Sequence, residues 1–278
     1  MIRFTAVAFS GLFIFLLTMS TGWSQDVNWK KVRVLVYTKN GKGYVHDNIP
    51  NAVQCIQKLG RQYGFAVDSS AQPTVFTESS LKQYTLLIFP STNNDVFDTD
   101  AQRLAFRRYI EAGGGFVGIH SVMGTERNWA WFKRMLGGTF AWHPKFQKFR
   151  VEVLDTRHPS MQGLPKVWEK EDEFYFTKNM SPGPTVIMAN DLTSLNQDEP
   201  EKVKMFGGSY TELYPSAWYY NFDGGYTWCT TLGHAKTDYQ TDTTFINHIF
   251  QGIRYVAGQV KMIDFSKAYA DSRDTPIR

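Results

Sequence analysis

Short apolar runs alternate with amphipathic stretches through the first half of the chain. Val32-Arg33-Val34-Leu35-Val36-Tyr37 reads as a strand. Thr38 to Val45 is a Gly-containing loop that leads to His46 and Asp47. Ile49, Ala52, Val53, Ile56, Leu59 and Tyr63 then recur at helical spacing, and Gly64 ends that helix. Phe65-Ala66-Val67-Asp68 is a short second strand. Leu86-Leu87-Ile88-Phe89 is a third, stopped by Pro90 and the polar Ser91-Thr92-Asn93-Asn94. Thr99 and Gln102 form a capping box for a helix reaching Ala112. Gly113-Gly114-Gly115 then admit a tight turn into a strand of Phe116, Val117 and Ile119, which ends abruptly at His120-Ser121. This β-α-β order predicts a parallel, doubly wound sheet. In such sheets ligands bind at the carboxyl ends of the strands, where His120 falls.

The second half changes character. Phe149, Val151 and Val153 alternate with Arg150 and Glu152, as in a half-exposed antiparallel strand. Further strands are expected at 173–177, 185–189, 216–220 and 226–232. Asp191 to Glu201 reads as a polar surface loop. A last helix is expected from about Thr243 to Val256, with Phe245, Ile249, Ile253 and Val256 on one face. No internal repeat or linker interrupts the pattern. The expected organisation is a signal segment over 1–24, one α/β domain over 28–260, and a polar tail over 261–278 that covers the surface.

The N-terminal assignment rests on Arg3, the apolar run from Phe4 to Met19, and the small residues Gly22 and Ser24. Cleavage after Ser24 would leave Gln25 first and send the protein to the periplasm or outside the cell. The run is shorter than the roughly 20 residues of a membrane span, which disfavours the alternative, an uncleaved anchor. No stable membrane insertion is expected after its removal. The formal net charge of +4 is spread among acids without a basic run, so nucleic acid is not an expected partner. Cys55 and Cys229 read as core thiols, with a single bridge as the alternative in an oxidising compartment.

Candidate chemistry lies in the histidines. His46, His120 and His234 follow expected strands, and His143 sits in the loop Phe140-Ala141-Trp142-His143-Pro144. Convergence of four histidines on one rim is hard to explain as packing. His158 begins a turn and His248 lies on the last helix, and both read as structural. Glu173, in Asp172-Glu173-Phe174-Tyr175, is the candidate acid, because burial beside aromatics would suit it to proton transfer; a solvated acidic turn is the competing reading. His120, His143, Glu173 and His234 are also candidate ligands for a divalent metal such as zinc, the one cofactor considered, although no short His-x-x-x-His pattern marks a site. Asn93, Trp129, Trp142 and Trp218 are candidate substrate contacts, since indole faces stack on sugar C–H faces.

At these residues the chain resembles the ThuA-like (trehalose-utilisation) family. The matching segments are Tyr37-Thr38-Lys39 with His46-Asp47; Val75-Phe76-Thr77; Tyr109 through His120; Trp129 to Leu136; His143-Pro144; His158-Pro159-Ser160; Asp172 to Tyr175; Pro215 to Trp218; and Thr231 to His234. The resemblance implies a flavodoxin-like three-layer sandwich, similar to class I glutamine amidotransferases, with a mostly parallel sheet and antiparallel additions. In that wider fold a cysteine stands at the turn after the central strand. Here the position is His120, and the resemblance puts His234 at the place of the triad histidine, so glutamine hydrolysis through a thioester is not expected. The family's link to disaccharide catabolism implies sugar chemistry, with a 3-keto-glycoside made by a partner oxidoreductase as one substrate. Elimination, isomerisation and hydrolysis all remain open. The alternatives are a non-catalytic carbohydrate-binding protein of the cell envelope and a metal-dependent hydrolase of another polar substrate.

Overall fold

The computed structural model describes residues 27–196 and 198–278. The expected signal segment therefore lies outside the described residues. Among those described, no helix is long and apolar enough to cross a membrane.

In chain order the elements are β1 (Arg33–Tyr37), α1 (Ile49–Tyr63), β2 (Ala66–Ser70), α2 (Glu78–Leu81), β3 (Leu86–Pro90), α3 (Asp100–Glu111), β4 (Gly115–Ile119), α4 (Ala130–Leu136) and β5 (Thr139–Trp142). There follow β6 (Gln147–Val153), β7 (Val167–Asp172), β8 (Phe176–Lys178), β9 (Thr185–Asp191), α5 (Pro200–Gly207), β10 (Leu213–Phe222), β11 (Gly225–Thr230), α6 (Lys236–Gln240) and α7 (Thr243–Gln259). One large sheet has the order β2-β1-β3-β4-β11-β10-β9-β6-β7. From β2 to β11 every pairing is parallel, and from β11 to β7 every pairing is antiparallel. A small separate sheet pairs β5 with β8.

The unbroken apolar runs of β1, β3 and β4 are explained by helices on both faces. Val34 and Val36 belong to the core that holds Ala52, Ile56 and Leu59 of α1 and Ile249 and Ile253 of α7. Leu35 and Tyr37, one residue out of phase, belong to the opposite core with Phe106 and Tyr109 of α3 and Phe132 of α4. The layers are thus helix, sheet, helix, as the flavodoxin-like expectation requires. The carboxyl ends of β1, β3, β4 and β11 open on one edge, and four loops meet there.

Two expectations fail in the second half. The strand expected over 173–177 is broken. β7 ends at Asp172, whose carboxylate accepts from the backbone N–H groups of Glu173, Gly233 and His234 at 2.8, 2.8 and 3.1 Å. Those bonds replace the ladder, and pairing resumes only at Phe176 with β5. The polar loop expected from Asp191 to Glu201 instead buries Leu192 and Leu195 and opens α5 at Pro200. Its scattered apolar side chains make no periodic pattern that sequence could reveal. Cys55 and Cys229 are buried and unbridged.

Candidate active site

His120 occupies the turn that leaves β4. Its φ is +54°, in the left-handed region that a residue with a Cβ adopts at a cost. Its Nδ1–H donates to the Thr231 carbonyl at 2.9 Å, which ties the β4 turn to the loop after β11. In the neutral ring that bond fixes the tautomer, with the Nε2 lone pair aimed at the rim. Around Nε2 stand His234 Nδ1 at 3.3 Å, the Tyr175 hydroxyl at 3.1 Å and Glu173 Oε2 at 3.4 Å.

His234 is delivered by a clamped loop. Asn48, at the start of α1, donates its side-chain amide to the Gly233 and His234 carbonyls at 2.7 and 2.8 Å. Asp172 grips the same two residues through their N–H groups. The preceding Gly233 has φ +115°, a conformation open to glycine. His234 Nδ1 then lies 3.2 Å from Glu173 Oε2. Burial opposes charge on His234, but the hydrogen bond and charge of Glu173 outweigh it and raise its pKa above the usual histidine value.

Glu173 is the hub. Its Oε1 faces His143 Nε2 at 3.5 Å, while Oε2 faces His120 and His234. Burial alone would push its carboxyl up; the surrounding histidines win and hold it well below the usual carboxylate range. His46, on the loop between β1 and α1, packs edge-on against His120 and His234, with ring centroids 5.0 and 5.4 Å apart. It is 6 % exposed, and its Nδ1 is buried without a hydrogen-bond partner. Burial, then the proximity of His120 and His234, pushes its pKa down to about 3, so its ring is neutral near pH 7. His143 stands nearer to solvent, with Nδ1–H donating to the Pro144 carbonyl at 2.8 Å.

His46, His143, Glu173 and Tyr175 form one wall of a cleft of about 360 Å³, with His120 and His234 against Glu173 behind it. Its other walls bring Tyr44, Asn93, Arg127 and Phe140. Arg127 donates to Asn93 Oδ1 at 3.2 Å. A side chain at Gly124 would collide with both, since its Cβ would lie 2.5 Å from that oxygen and 2.6 Å from the guanidinium. A larger hollow of about 560 Å³ at the opposite, amino edge of the sheet touches Lys31, Lys82 and Lys261 and gathers no histidine or acid.

The structure thus brings together His46, His120, His143, Glu173 and His234, and it puts Asn93 on the same cleft. It does not bring the tryptophans there. Trp218 is fully buried, donating its indole N–H to the Leu136 carbonyl at 2.8 Å. Trp129 is 1 % exposed and stacks on Trp131 and Phe132. Trp142 stacks on Phe176 and Phe206, away from the cleft. A large apolar face is worth more in the core than on a wall, and sequence could not tell the two uses apart. The metal-ligand set also changes. His46, not His143, joins His120, Glu173 and His234 in placing four ligand atoms within 4.8 Å of one another. Tyr44, Arg127 and the clamp of Asn48 and Asp172 were not foreseen; their loops carry no motif, and only the rim position of their neighbours hinted at them.

The ThuA family, described as trehalose utilisation, matches residues 33–256. The chain belongs to that family. At family level this is a protein of trehalose-related sugar utilisation. A solved ThuA-like protein from Bacteroides uniformis ATCC 8492 is 23% identical, with a TM-score of 0.66 over 82% of this chain and 92% of that one. One from Parabacteroides merdae ATCC 43184 is 18% identical, with a TM-score of 0.62 over 83% and 92%. A solved protein from Thermoplasma acidophilum, described as belonging to a GMP synthase, shares 14% identity and a TM-score of 0.50 over 81% and 94%. At these identities the likeness shows the fold, and it agrees with the amidotransferase-like sandwich. No curated protein matches the chain.

Proposed function

We propose that this ThuA-family member is an enzyme that processes keto-sugars, with 3-keto-glycosides or 3-keto-disaccharides as substrates. The observation that carries the reading is a cleft lined by His46, His143 and Glu173, with His120 and His234 packed against Glu173 behind it, and with other walls that supply hydrogen-bond donors and two aromatic rings. The cleft volume falls within the roughly 300–1,000 Å³ of small-molecule sites. A ketone at C3 acidifies the C2 hydrogen. Removing that proton leaves an enediolate whose negative charge needs stabilising donors. In the cleft, His143 Nε2 is the solvent-side group placed to move the proton, and Arg127 is the cation facing the same space. Arg127 supplies the positive charge that stabilises the oxyanion, and Glu173 holds the ring of His143 from behind. Direct hydrolysis of an unoxidised glycoside calls for two carboxyl groups across the bond. Among the described residues Glu173 is the only carboxylate lining the cleft, and Asp172 is turned away to hold backbone.

The burial of Trp129 and Trp218 weighs against the alternative of an aromatic strip that merely binds carbohydrate. The test is incubation of a 3-keto-glucoside and of 3-keto-trehalose with the protein, its Glu173→Gln variant and its His143→Ala variant. Turnover of the keto forms is expected, reduced by about 100-fold or more in both variants. Turnover of unoxidised trehalose at the same rate would overturn the reading, as would keto-sugar turnover indifferent to both substitutions.

A further inference from the structure

We infer that His46, His120, Glu173 and His234 form a binding site for one divalent first-row transition ion, with zinc as the best fit. This goes beyond the substrate reading and does not depend on it.

Three of the four donors define the argument. His120 Nε2, His234 Nδ1 and Glu173 Oε2 form a nearly equilateral triangle with sides of 3.3, 3.2 and 3.4 Å. Zinc binds imidazole nitrogen and carboxylate oxygen at about 2.0–2.2 Å, which gives tetrahedral edges of about 3.3–3.6 Å. The triangle therefore has the size of one face of such a tetrahedron. Protons alone explain it poorly. His120 already spends its Nδ1–H on the Thr231 carbonyl, so Nε2 brings a lone pair to the triangle. Glu173 brings lone pairs as well. A proton on His234 and that of the Tyr175 hydroxyl, 3.1 Å from His120 Nε2, each bond one neighbour in a line; neither can serve all three corners at once. A cation at their centre can.

The surroundings match what a metal ligand needs. The Thr231 carbonyl holds the back of His120, the outer contact that fixes a ligating imidazole. Asn48 and Asp172 immobilise the backbone that carries His234. His46 completes the set: it is buried, its ring is edge-on to both other histidines, and it supplies a fourth ligand atom within 4.8 Å of the rest. Three imidazoles and one carboxylate suit zinc, iron, nickel or cobalt better than magnesium or calcium, which prefer all-oxygen shells. His46 and Glu173 also line the cleft, so an ion there adjoins whatever the cleft holds. When bound, such an ion would supply Lewis-acid polarisation of a substrate oxygen.

The experiment uses tag-free protein, stripped with chelator and titrated with Zn²⁺ by calorimetry and with Co²⁺ by visible absorption. One ion per chain is expected, with a d–d cobalt spectrum of nitrogen and oxygen ligation. His46→Ala, His234→Ala and Glu173→Gln should each weaken Zn²⁺ binding by more than roughly 100-fold, above the 10–100-fold that outer contacts cost. His158→Asn, remote from the site, should bind as the parent does. Circular dichroism confirms that each variant is folded. If one variant fails to fold, the others carry the test. Folded parent protein that takes up neither ion at micromolar concentration would overturn the site. So would binding that survives both His234→Ala and Glu173→Gln. Stoichiometric binding without keto-sugar turnover would uphold the metal site and sink the substrate reading alone.

Discussion

At the scale of single residues, Asp172 shows how a side chain can shape a site without entering it. It is fully buried and holds three backbone N–H groups, two of them on the loop that presents His234. An asparagine there keeps one acceptor and turns a donor toward an N–H group. Charged hydrogen bonds are worth about 1.5–3 kcal/mol each, and a buried donor left unpaired costs about 1–3 kcal/mol. Asp172→Asn is therefore expected to lower unfolding free energy by about 2–3 kcal/mol in a urea titration. It should also speed amide exchange at Gly233 and His234 more than elsewhere. Unchanged exchange at those two amides would show that the loop is held by Asn48 alone. The acidic run from Glu169 to Glu173 conceals this role in the sequence. Its spacing cannot separate Glu173, which faces the histidines, from Asp172, which faces backbone. The histidines were legible because each follows an element end. The tryptophans misled because indoles serve cores and sugar walls with equal ease.

At the scale of elements, the strands of the parallel half and the helices α1 and α3 could be read nearly to their ends, since two-sided burial writes a continuous apolar run, whereas the short α2 and α4 were not placed. The antiparallel half was harder. β7 carries Lys170, buried among Asp172, Asp238 and Asp242, so a core position reads as surface. The C-terminal tail is a similar case. Its sequence is polar, yet it satisfies buried groups of α3. Glu111 Oε2 accepts from the N–H groups of Tyr269 and Ala270 at 2.9 and 3.0 Å. Arg107, fully buried and paired with Glu111 at 2.8 Å, donates to the Arg273 carbonyl at 3.1 Å, as does the Trp129 indole at 3.0 Å. Removing residues 265–278 exposes an ion pair that the fold had enclosed. Truncation before Phe265 should therefore destabilise the protein by about 2–4 kcal/mol, since several charged hydrogen bonds are exchanged for water. The check is the urea midpoint of the truncated chain. A midpoint equal to that of the full chain would mark the tail as a passive cover.

At the scale of the whole molecule, two histidines outside the cleft set how the fold answers acid. His158 is stacked on Tyr219, touches Tyr255 and accepts the Ser160 N–H through Nδ1; Asp155 is the nearest charge. Burial, only partly offset by Asp155, pushes its pKa down to about 4. His248 is enclosed by Trp168, Trp228 and Phe245, bonds Thr230 through Nε2 and feels the Lys170 charge. Burial first, then Lys170, pushes its pKa down to about 3. Unfolded, both would titrate near about 6.5. The sign follows from proton counting. Above about pH 6.5 neither state binds the extra protons, and stability is full. As pH falls from about 6.5 toward 4, the unfolded chain takes up protons that the folded one refuses, so stability drops. The slope approaches about 1.4 kcal/mol per pH unit for each histidine, or up to about 2 kcal/mol each by about pH 5. Urea titrations at pH 7 and pH 5 should show this loss in the parent protein. His158→Asn and His248→Gln should each remove about half of the part due to the pair, measured as the difference between the two pH values. That double difference cancels the cleft histidines and the carboxylates, which titrate alike in parent and variant. A pH response identical in parent and both variants would show that neither His158 nor His248 contributes to the acid sensitivity.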